Sequence, residues 1–206
     1  MNTEIIVRPQ LKHFGLATSQ LDAMLDWYHK VLGMTVNYRS PPIPGPQRGP
    51  FASVAFVSND EVHHRIALFE VPEPAGRPGG PRSAGLQHVA FQYDTLDDLL
   101  GTYVRLKKQG IVPRWAADEG LQISFYYNDP DGNNVELIIN NYDNEWTATE
   151  HMRSAAASAD QARRVLVDPD QLVAARQAGD SPWQVHQRAL AGEFAPARPQ
   201  GRPASL

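Results

Sequence analysis

The sequence predicts an α+β protein made of paired βαβββ modules that form a concave mixed sheet, followed by a C-terminal helical extension. Three observations support this prediction. They are an internal repeat at a constant offset of 75 residues, the same order of strand and helix patterns in both copies, and a change of composition beyond residue 145. The repeated identities are Leu11 with Leu86, His13 with His88, Leu21–Asp22 with Leu96–Asp97, Leu25 with Leu100, and Tyr28 with Tyr103.

Each copy contains one amphipathic helix directly after its first strand. In the first copy, Ser19 is the expected N-cap and Gly33 the expected stop signal. In the second copy, Thr95 is the expected N-cap and Gly110 lies beyond the helix end. The apolar residues between these limits recur at helical spacing and are Leu21, Met24, Leu25, Tyr28 and Leu32 in the first helix, and Leu96, Leu99, Leu100, Tyr103 and Leu106 in the second.

Short β-type segments follow each helix. The first copy contains MTVNYR, FASVAFVS and HHRIALFE, and the second contains IVPRWA, LQISFYYN and NNVELIIN. The Pro- and Gly-rich stretches SPPIPGPQRGP and VPEPAGRPGGPRSAG predict loops. We therefore expect a domain at 8–145, with module one at 10–70 and module two at 85–141, then a helical extension at 146–194 and a disordered tail at 195–206.

Composition and charge exclude several classes of function. The 206 residues are 42% hydrophobic and 20% charged, with a net charge of −4. This charge does not favour nucleic acid or an anionic membrane as a partner, and no apolar run reaches the roughly 18 residues of a membrane span. The absence of cysteine excludes disulfides and thiolate metal sites, so any metal must bind His, Asp or Glu. We expect a cytoplasmic protein and, from its module edges and its extension, a homo-oligomer.

Strand alternation places three polar side chains opposite bulky apolar ones. His13 alternates with Phe14 and Leu16, and His88 and Glu136 alternate with apolar neighbours on later strands. We expect the apolar side of the sheet to pack under the helices. The other side carries His or Glu, with small neighbours on the two His strands, and this pattern indicates a concave face that leaves room for a ligand.

The two histidines and the glutamate on this helix-free face predict a metal site. A carboxylate between Val135 and Leu137 is costly to bury unless it is paired or coordinated. Two His and one carboxylate occupy one face of an octahedron and leave three positions open, an arrangement that suits Fe(II). The predicted ligands are His13, His88 and Glu136, with Fe(II) as the cofactor and Mn(II) as the alternative.

These residues resemble those of the vicinal oxygen chelate (glyoxalase/bleomycin resistance/extradiol dioxygenase) superfamily. Within it, the chain is similar to one-domain type I extradiol dioxygenases that act on catechol or biphenyl-2,3-diol. The resemblance covers about residues 10–141 and rests on LKHFGLATSQLDAMLDWYHKVLGM, HHRIAL, LQHVAFQ and SFYYNDPDGNNVEL. It implies an oxidoreductase that cleaves the ring of a small aromatic diol with O₂ and gives a hydroxymuconic-semialdehyde-type product. It also implies the same three metal ligands.

The resemblance further implies a catalytic histidine. His64, the second member of the HH pair that opens the last strand of module one, matches a His that shuttles a proton. Strand alternation predicts that His64 shares a face with Ile66 and Leu68. His63 then points away, and we interpret it as structural.

A tyrosine completes the implied site. Tyr126 lies ten residues before Glu136 and matches a Tyr that hydrogen-bonds the metal-bound substrate oxygen. Many family members also carry a His nineteen residues before the Glu ligand, where this chain has Ala117. The larger family enzymes have a second, metal-free pair of modules, so this chain resembles a one-domain version.

Two other functions remain as alternatives. One is a glyoxalase-like isomerase or lyase that uses Ni(II) or Zn(II), and the other is a non-catalytic small-molecule-binding protein of the same fold. Such isomerases usually take a carboxylate from the last strand of both modules. In module one, the position equivalent to Glu136 is expected near Arg65–Ile66, where neither residue suits a metal. A binding protein needs no metal triad, so the sequence favours the dioxygenase.

The C-terminal extension contains two helix start signals. Asp168 precedes Pro169 and Ser181 precedes Pro182, so each pair supplies an N-cap and a proline at the first helical position. The apolar stripes that follow are short, and such helices are stable only when they pack on something. Two alternatives follow: the helices pack on their own domain for stability, or they cross to a partner subunit or close over the site mouth.

Overall fold

The computed structural model describes residues 8–41, 51–71, 86–142, 144–155 and 164–197. The chain divides into two compact units, Met1–Ala84 (unit one) and Gly85–Leu206 (unit two), and each is described by itself. Apart from their first one or two residues, the two predicted Pro- and Gly-rich loops lie outside the described residues. The predicted disordered tail lies outside them beyond residue 197. None of the helices in the described ranges has the length and apolar character that a membrane span requires.

Unit one is a four-stranded mixed sheet with one helix. Its strand order is β1-β4-β3-β2, with β1 parallel to β4 and the other pairs antiparallel. The predicted βαβββ order of module one is confirmed. Its elements are β1 Phe14–Thr18, α1 Leu21–Leu32, β2 Thr35–Arg39, β3 Ser53–Ser58 and β4 Ile66–Glu70.

Helix α1 ends as predicted but begins differently. Gly33 adopts a left-handed conformation with φ 65°, which glycine tolerates best, and its amide donates to the carbonyl of His29. The N-cap is Gln20, and the prediction of Ser19 is wrong. Strand β1 runs to Thr18, so the turn into the helix is short, and the hydroxyl of Thr18 accepts a hydrogen bond from the Gln20 amide at 2.9 Å.

Unit two repeats the module and adds the extension. Its sheet has the order β5-β8-β7-β6-β9, with β5 parallel to β8 and the other pairs antiparallel. The βαβββ order of module two is confirmed, and Thr95 caps α2 by accepting a hydrogen bond from the amide of Asp98. The elements are β5 Val89–Gln92, α2 Leu96–Lys108, β6 Trp115–Asp118, β7 Gln122–Asn128, β8 Asn134–Asn140, α3 Glu145–Ala155, β9 Val165–Leu166, α4 Pro169–Gln177 and α5 Pro182–Leu190.

The register of β7 and β8 gives the sheet of unit two one apolar side and one polar side. Phe125 pairs with Leu137, and Tyr126 pairs with Glu136. Directly paired residues point to the same side of a sheet. The ring of Phe125 packs edge-on against the ring of Tyr103 of α2, with the ring centroids 5.7 Å apart. Helix α2 therefore covers the side of Phe125 and Leu137. Tyr126 and Glu136 therefore lie on the side away from α2, as the alternation of Glu136 predicts.

Both predicted helix starts of the extension are confirmed. The side chain of Asp168 accepts from the amide of Asp170 at the start of α4, and Ser181 forms a capping box with Gln184 at the start of α5. Strand β9, by contrast, lies within the region predicted to be helical. It is only two residues long and pairs antiparallel with β6, Ala117 with Leu166 and Asp118 with Val165.

The extension packs on its own unit. Leu172 of α4 and Val185 of α5 are completely buried. Polar contacts join both helices to module two, namely Arg176 with Asp97 at 2.7 Å, Tyr103 with Asp170 at 2.9 Å and His186 with Asp118 at 2.7 Å. Trp115 of β6 pairs with Tyr126, so Trp115 and Ala117 face away from α2 and Asp118 faces the α2 side. The helices of the extension therefore lie on the α2 side of the sheet. The contacts support the first alternative, packing on the same domain.

Candidate active site

His13 and His64 lie side by side where the parallel strands β1 and β4 begin. Phe14 pairs with Ile66, and the amide of Phe14 donates to the carbonyl of the residue before Ile66 at 3.2 Å. The centroids of the two imidazole rings are 4.2 Å apart. His13 is exposed, whereas His64 is only 7% exposed. Unit one thus brings together a predicted metal ligand and the predicted proton carrier.

The side of the sheet on which His64 lies differs from the prediction. Its ring stacks on Phe56, with centroids 4.4 Å apart. Phe56 pairs with Ala67, so it lies on the side opposite Ile66 and Leu68. The prediction that His64 shares a face with Ile66 and Leu68 is therefore wrong. The physical reason is that the chain bends before β4 begins at Ile66, so strand alternation does not extend back to His64.

The surroundings of His64 favour its neutral form. Burial lowers the pKa of His64 below its ordinary value, and the electrostatic influence of the neighbouring His13, His63 and Lys12 side chains lowers it further. His63 is exposed, and its Nδ1 lies within hydrogen-bond distance of the Nδ1 of His64. A neutral imidazole has a lone pair on one nitrogen and can accept a proton there.

Glu136 is a buried carboxylate on the polar side of unit two. It is 2% exposed, its Oε2 lies 3.0 Å from Nε2 of His88, and its Oε1 accepts a hydrogen bond from Gln122 at 3.0 Å. His88 is exposed and stands one residue before β5, as His13 stands one residue before β1. Both oxygens of the carboxylate are therefore engaged, which offsets the cost of its burial.

The donor chemistry of His88 and Glu136 fits a divalent cation. Nε2 of His88 and Oε2 of Glu136 lie 3.0 Å apart, and both kinds of atom are ligands that such ions accept. Within the part of the chain that the structure describes, no group of three or more His, Asp or Glu side chains is arranged to hold a metal. His13, the third predicted ligand, belongs to unit one. The structure thus contains a pair, and the set of three stays a prediction.

Tyr126 faces Glu136 and is fixed at both its ring and its hydroxyl. The ring stacks on Trp115 with centroids 3.7 Å apart and an interplanar angle of 14°. The hydroxyl donates to Oε1 of Glu119 at 3.2 Å. Burial raises the pKa of Tyr126 far above its ordinary value, and the carboxylates of Glu136 and Glu119 raise it further. The phenol is therefore protonated at every pH of interest.

Glu119 and Arg164 form an ion pair next to this tyrosine. Arg164 lies 2.8 Å from Oε1 of Glu119, and its guanidinium also lies over the ring of Trp115 at 5.2 Å. The Glu119 side chain is 18% exposed and that of Arg164 is 34% exposed. Burial raises the pKa of Glu119, while the charge of Arg164 opposes that rise.

Apolar packing surrounds Ala117, the position where the resemblance implies a histidine. Ala117 is completely buried in a cluster with Trp115 and Tyr126. Leu166 of β9 packs against the same cluster. The extension thus contributes a side chain to the polar side of the sheet, next to the tyrosine.

The register corrects one further prediction. In unit two, Glu136 pairs with Ala90, and in unit one the residue at the corresponding repeat position, Gly15, pairs with Ala67. The module-one equivalent of Glu136 is therefore Ala67, and the prediction of Arg65–Ile66 is wrong by one residue. The repeat offset is shorter at the last strand than at the first. The conclusion that module one offers no carboxylate there is unchanged.

Three residues of this neighbourhood were not predicted from the sequence. Gln122 shares one face of β7 with Ser124 and Tyr126, so the period-two pattern contained a signal for it. Glu119 and Arg164 carried no such signal. They follow β6 and precede β9 respectively, and only the pairing of these strands brings them together.

Comparisons with known proteins agree with this architecture. Residues 10–137 match the model of the Glyoxalase/Bleomycin resistance protein/Dioxygenase superfamily. Biphenyl-2,3-diol 1,2-dioxygenase 3 of Rhodococcus globerulus is 41% identical over 160 residues, which cover 75% of each protein. Biphenyl-2,3-diol 1,2-dioxygenase 2 of the same organism is 37% identical over 191 residues, which cover 93% of this chain and 94% of the relative.

A solved structure adds agreement at the level of the fold. The crystal structure of a glyoxylase/bleomycin resistance protein/dioxygenase domain from Frankia sp. EAN1pec aligns with a TM-score of 0.51 at 18% identity, covering 65% of this chain and 93% of that chain. Paired βαβββ modules with a polar sheet face define the class of protein. The chain belongs to the Glyoxalase/Bleomycin resistance protein/Dioxygenase superfamily. Its two named relatives are dioxygenases, in agreement with the predicted enzyme class.

Proposed function

We propose that this chain is an Fe(II)-dependent extradiol dioxygenase that cleaves the ring of a catechol-type aromatic diol with O₂. The product would be of the hydroxymuconic-semialdehyde type. Identities of 37% and 41% to two biphenyl-2,3-diol dioxygenases support the reaction class. The structural observation that carries the proposal is the buried Glu136 carboxylate, which meets His88 on one side and faces the Tyr126 phenol across the strands.

His13, His88 and Glu136 are the proposed metal ligands. The fit rests on the donor atoms, since His88 and Glu136 already present a nitrogen and an oxygen 3.0 Å apart. Bound there, Fe(II) would bring the diol and O₂ together and let electrons pass from one to the other. Three protein ligands leave room for both partners, and this is why the ion is proposed to be iron, with Mn(II) as the alternative.

His64 is proposed to move a proton. The imidazole is held by its stack on Phe56 and by the neighbouring ring of His13. A fixed imidazole with an available lone pair can take a proton from a substrate hydroxyl and return it later in the reaction. Tyr126 is proposed to hold the diol by a hydrogen bond at one substrate oxygen.

The alternative of a glyoxalase-like isomerase or lyase finds less support. The module-one position equivalent to Glu136 is Ala67, whose methyl group cannot bind Ni(II) or Zn(II). A non-catalytic binding protein is also disfavoured, because a buried carboxylate joined to an imidazole contributes little to holding an apolar ligand. The cytoplasmic location and the homo-oligomeric state expected from the sequence remain predictions.

The test is a turnover assay on the reconstituted enzyme. The protein is loaded with Fe(II) without O₂, mixed with catechol or biphenyl-2,3-diol, and then exposed to O₂. We expect O₂ uptake together with a yellow ring-opened product, and neither in a matched Zn(II)-loaded sample. An iron-loaded enzyme that binds the diols but opens neither ring would contradict the proposal.

A further inference from the structure

A continuous set of contacts runs from the C-terminal extension to Tyr126. Arg164, directly before β9, contacts Oε1 of Glu119 at 2.8 Å, and the same oxygen accepts the hydroxyl of Tyr126 at 3.2 Å. The Arg164 guanidinium also lies over Trp115, which stacks on the Tyr126 ring. Tyr126 is thus held at its hydroxyl and at its ring by two side chains that Arg164 touches.

We propose that Glu119 and Arg164 are positioning residues that fix the direction of the hydrogen bond made by Tyr126. A phenol has one proton and two acceptor lone pairs. When the proton points to Glu119, the phenol oxygen can only accept from the substrate. This inference rests on the proposed function and names two residues that would orient its substrate-binding hydroxyl.

Two carboxylates lie near this phenol, and Glu119 accepts its hydrogen bond at 3.2 Å. Glu136 is already engaged by His88 at 3.0 Å and by Gln122 at 3.0 Å. The second partner of Glu119 is Arg164, which is always a donor and always charged. A guanidinium beside a carboxylate favours the ionised form, which can only accept hydrogen bonds. The hydrogen bond from the Tyr126 hydroxyl to Oε1 of Glu119, which Arg164 also contacts, is therefore the geometry that sets the direction of the phenol proton.

The pairing of β9 with β6 places Arg164 next to Glu119. Leu166 of β9 pairs with Ala117 and packs against the cluster around Tyr126. At Ala117, where many family members carry a further histidine, this chain has an apolar contact with Leu166. Arg164 lies directly before the strand that supplies Leu166. The extension therefore contributes to the site through β9, in addition to the stabilising contacts of α4 and α5.

Diol binding without O₂ tests the inference on the full-length, iron-loaded enzyme. We expect Arg164→Met and Glu119→Gln each to raise the Kd for biphenyl-2,3-diol about tenfold, the usual effect of one charge-assisted hydrogen bond. Arg164→Lys should recover part of the loss. The matched control is Arg176→Met, which breaks an ion pair of the same extension with Asp97, away from Tyr126, and should change Kd less than about twofold.

A double-mutant cycle with Tyr126→Phe separates positioning from general stability. If Arg164 acts through the phenol, Arg164→Met should add nothing to Tyr126→Phe. In the metal-free protein, Arg164→Met should also weaken the near-ultraviolet circular dichroism of the Trp115–Tyr126 stack, while Arg176→Met should not.

The outcomes distinguish this inference from the proposed function. An Arg164→Met effect that persists at full size in the Tyr126→Phe background, or that equals the Arg176→Met effect, would overturn the inference while wild-type turnover stands. A wild-type enzyme that binds iron and cleaves no diol would overturn the proposed function, and this inference with it.

Discussion

Tyr126 and Glu136 stand directly opposite each other on the antiparallel strands β7 and β8. Both are almost completely buried, at 3% and 2% exposure, on the side of the sheet that α2 leaves uncovered. A phenol and a carboxylate on neighbouring strands have little freedom to move apart, because ladder hydrogen bonds fix their backbones. The proposed metal ligand and the proposed substrate-binding hydroxyl are therefore positioned by regular sheet structure.

The first prediction concerns metal binding. Glu136→Gln keeps the shape of the side chain but removes the charge of the only anionic ligand proposed. We expect the affinity for Fe(II), measured by anaerobic titration, to fall by more than about 100-fold, since even residues that only support a ligand are worth 10- to 100-fold. Glu150→Gln, on the exposed face of α3, is the control and should bind metal normally. Full occupancy in Glu136→Gln would show that the ligand assignment is wrong.

The second prediction separates the adjacent histidines. His64→Phe can keep the stack on Phe56 but cannot carry a proton, so metal and diol binding should persist while kcat falls by roughly 10²–10⁴. His63→Ala, at an exposed position, should remain close to wild type. The measurement is the steady-state kcat of both variants. The reverse pattern would assign the proton transfer to His63.

The modules were predictable from the sequence because their signals are local. Helical spacing, the Thr95 cap and the Gly33 stop each act within a few residues, and the repeat supplied the same pattern twice. The alternation of His13 and His88 with bulky neighbours was likewise readable, since each His stands next to the strand that carries the pattern.

The errors arose where a local pattern was extended beyond its element. His64 precedes a bend, so alternation could not give its side of the sheet. Strand β9 has two residues and no periodicity, and it exists because β6 offers a free edge. The contact of Arg164 with Glu119 depends on that pairing. A single sequence contains no signal for such a contact between distant segments.

The third prediction tests the packing of the extension. Leu172 of α4 is completely buried, whereas Leu190 of α5 is 37% exposed. Leu172→Ala should lower the free energy of unfolding by about 2–5 kcal/mol, because it leaves a cavity. Leu190→Ala should cost much less. Urea unfolding of both variants is the measurement, and equal small effects would mean that α4 does not pack on module two in solution.

The fourth prediction concerns acid stability. A hydrogen bond from Arg176 holds the pKa of Asp97 below its ordinary value, and one from Lys107 does the same for Asp170. A carboxyl whose pKa is lowered by folding stabilises the fold above its unfolded pKa of about 4, and this contribution is lost as the pH falls through the lower folded value.

The measurement is the Tm of the metal-free protein between about pH 6 and pH 3. We expect Asp97→Asn/Asp170→Asn to lose less stability over this range than wild type does. Both carboxylates are more than half exposed, so the difference should shrink in high salt. Parallel pH profiles in low salt would show that these pairs do not link the extension to α2.

The central claim is that this chain inserts O₂ into a diol ring. The most direct measurement is mass spectrometry of the product formed by the Fe(II)-loaded enzyme from biphenyl-2,3-diol under ¹⁸O₂. We predict a ring-opened product that carries both atoms of one O₂ molecule, and its loss in Glu136→Gln. A product without label, or a quinone formed while O₂ is reduced to hydrogen peroxide, would contradict the account.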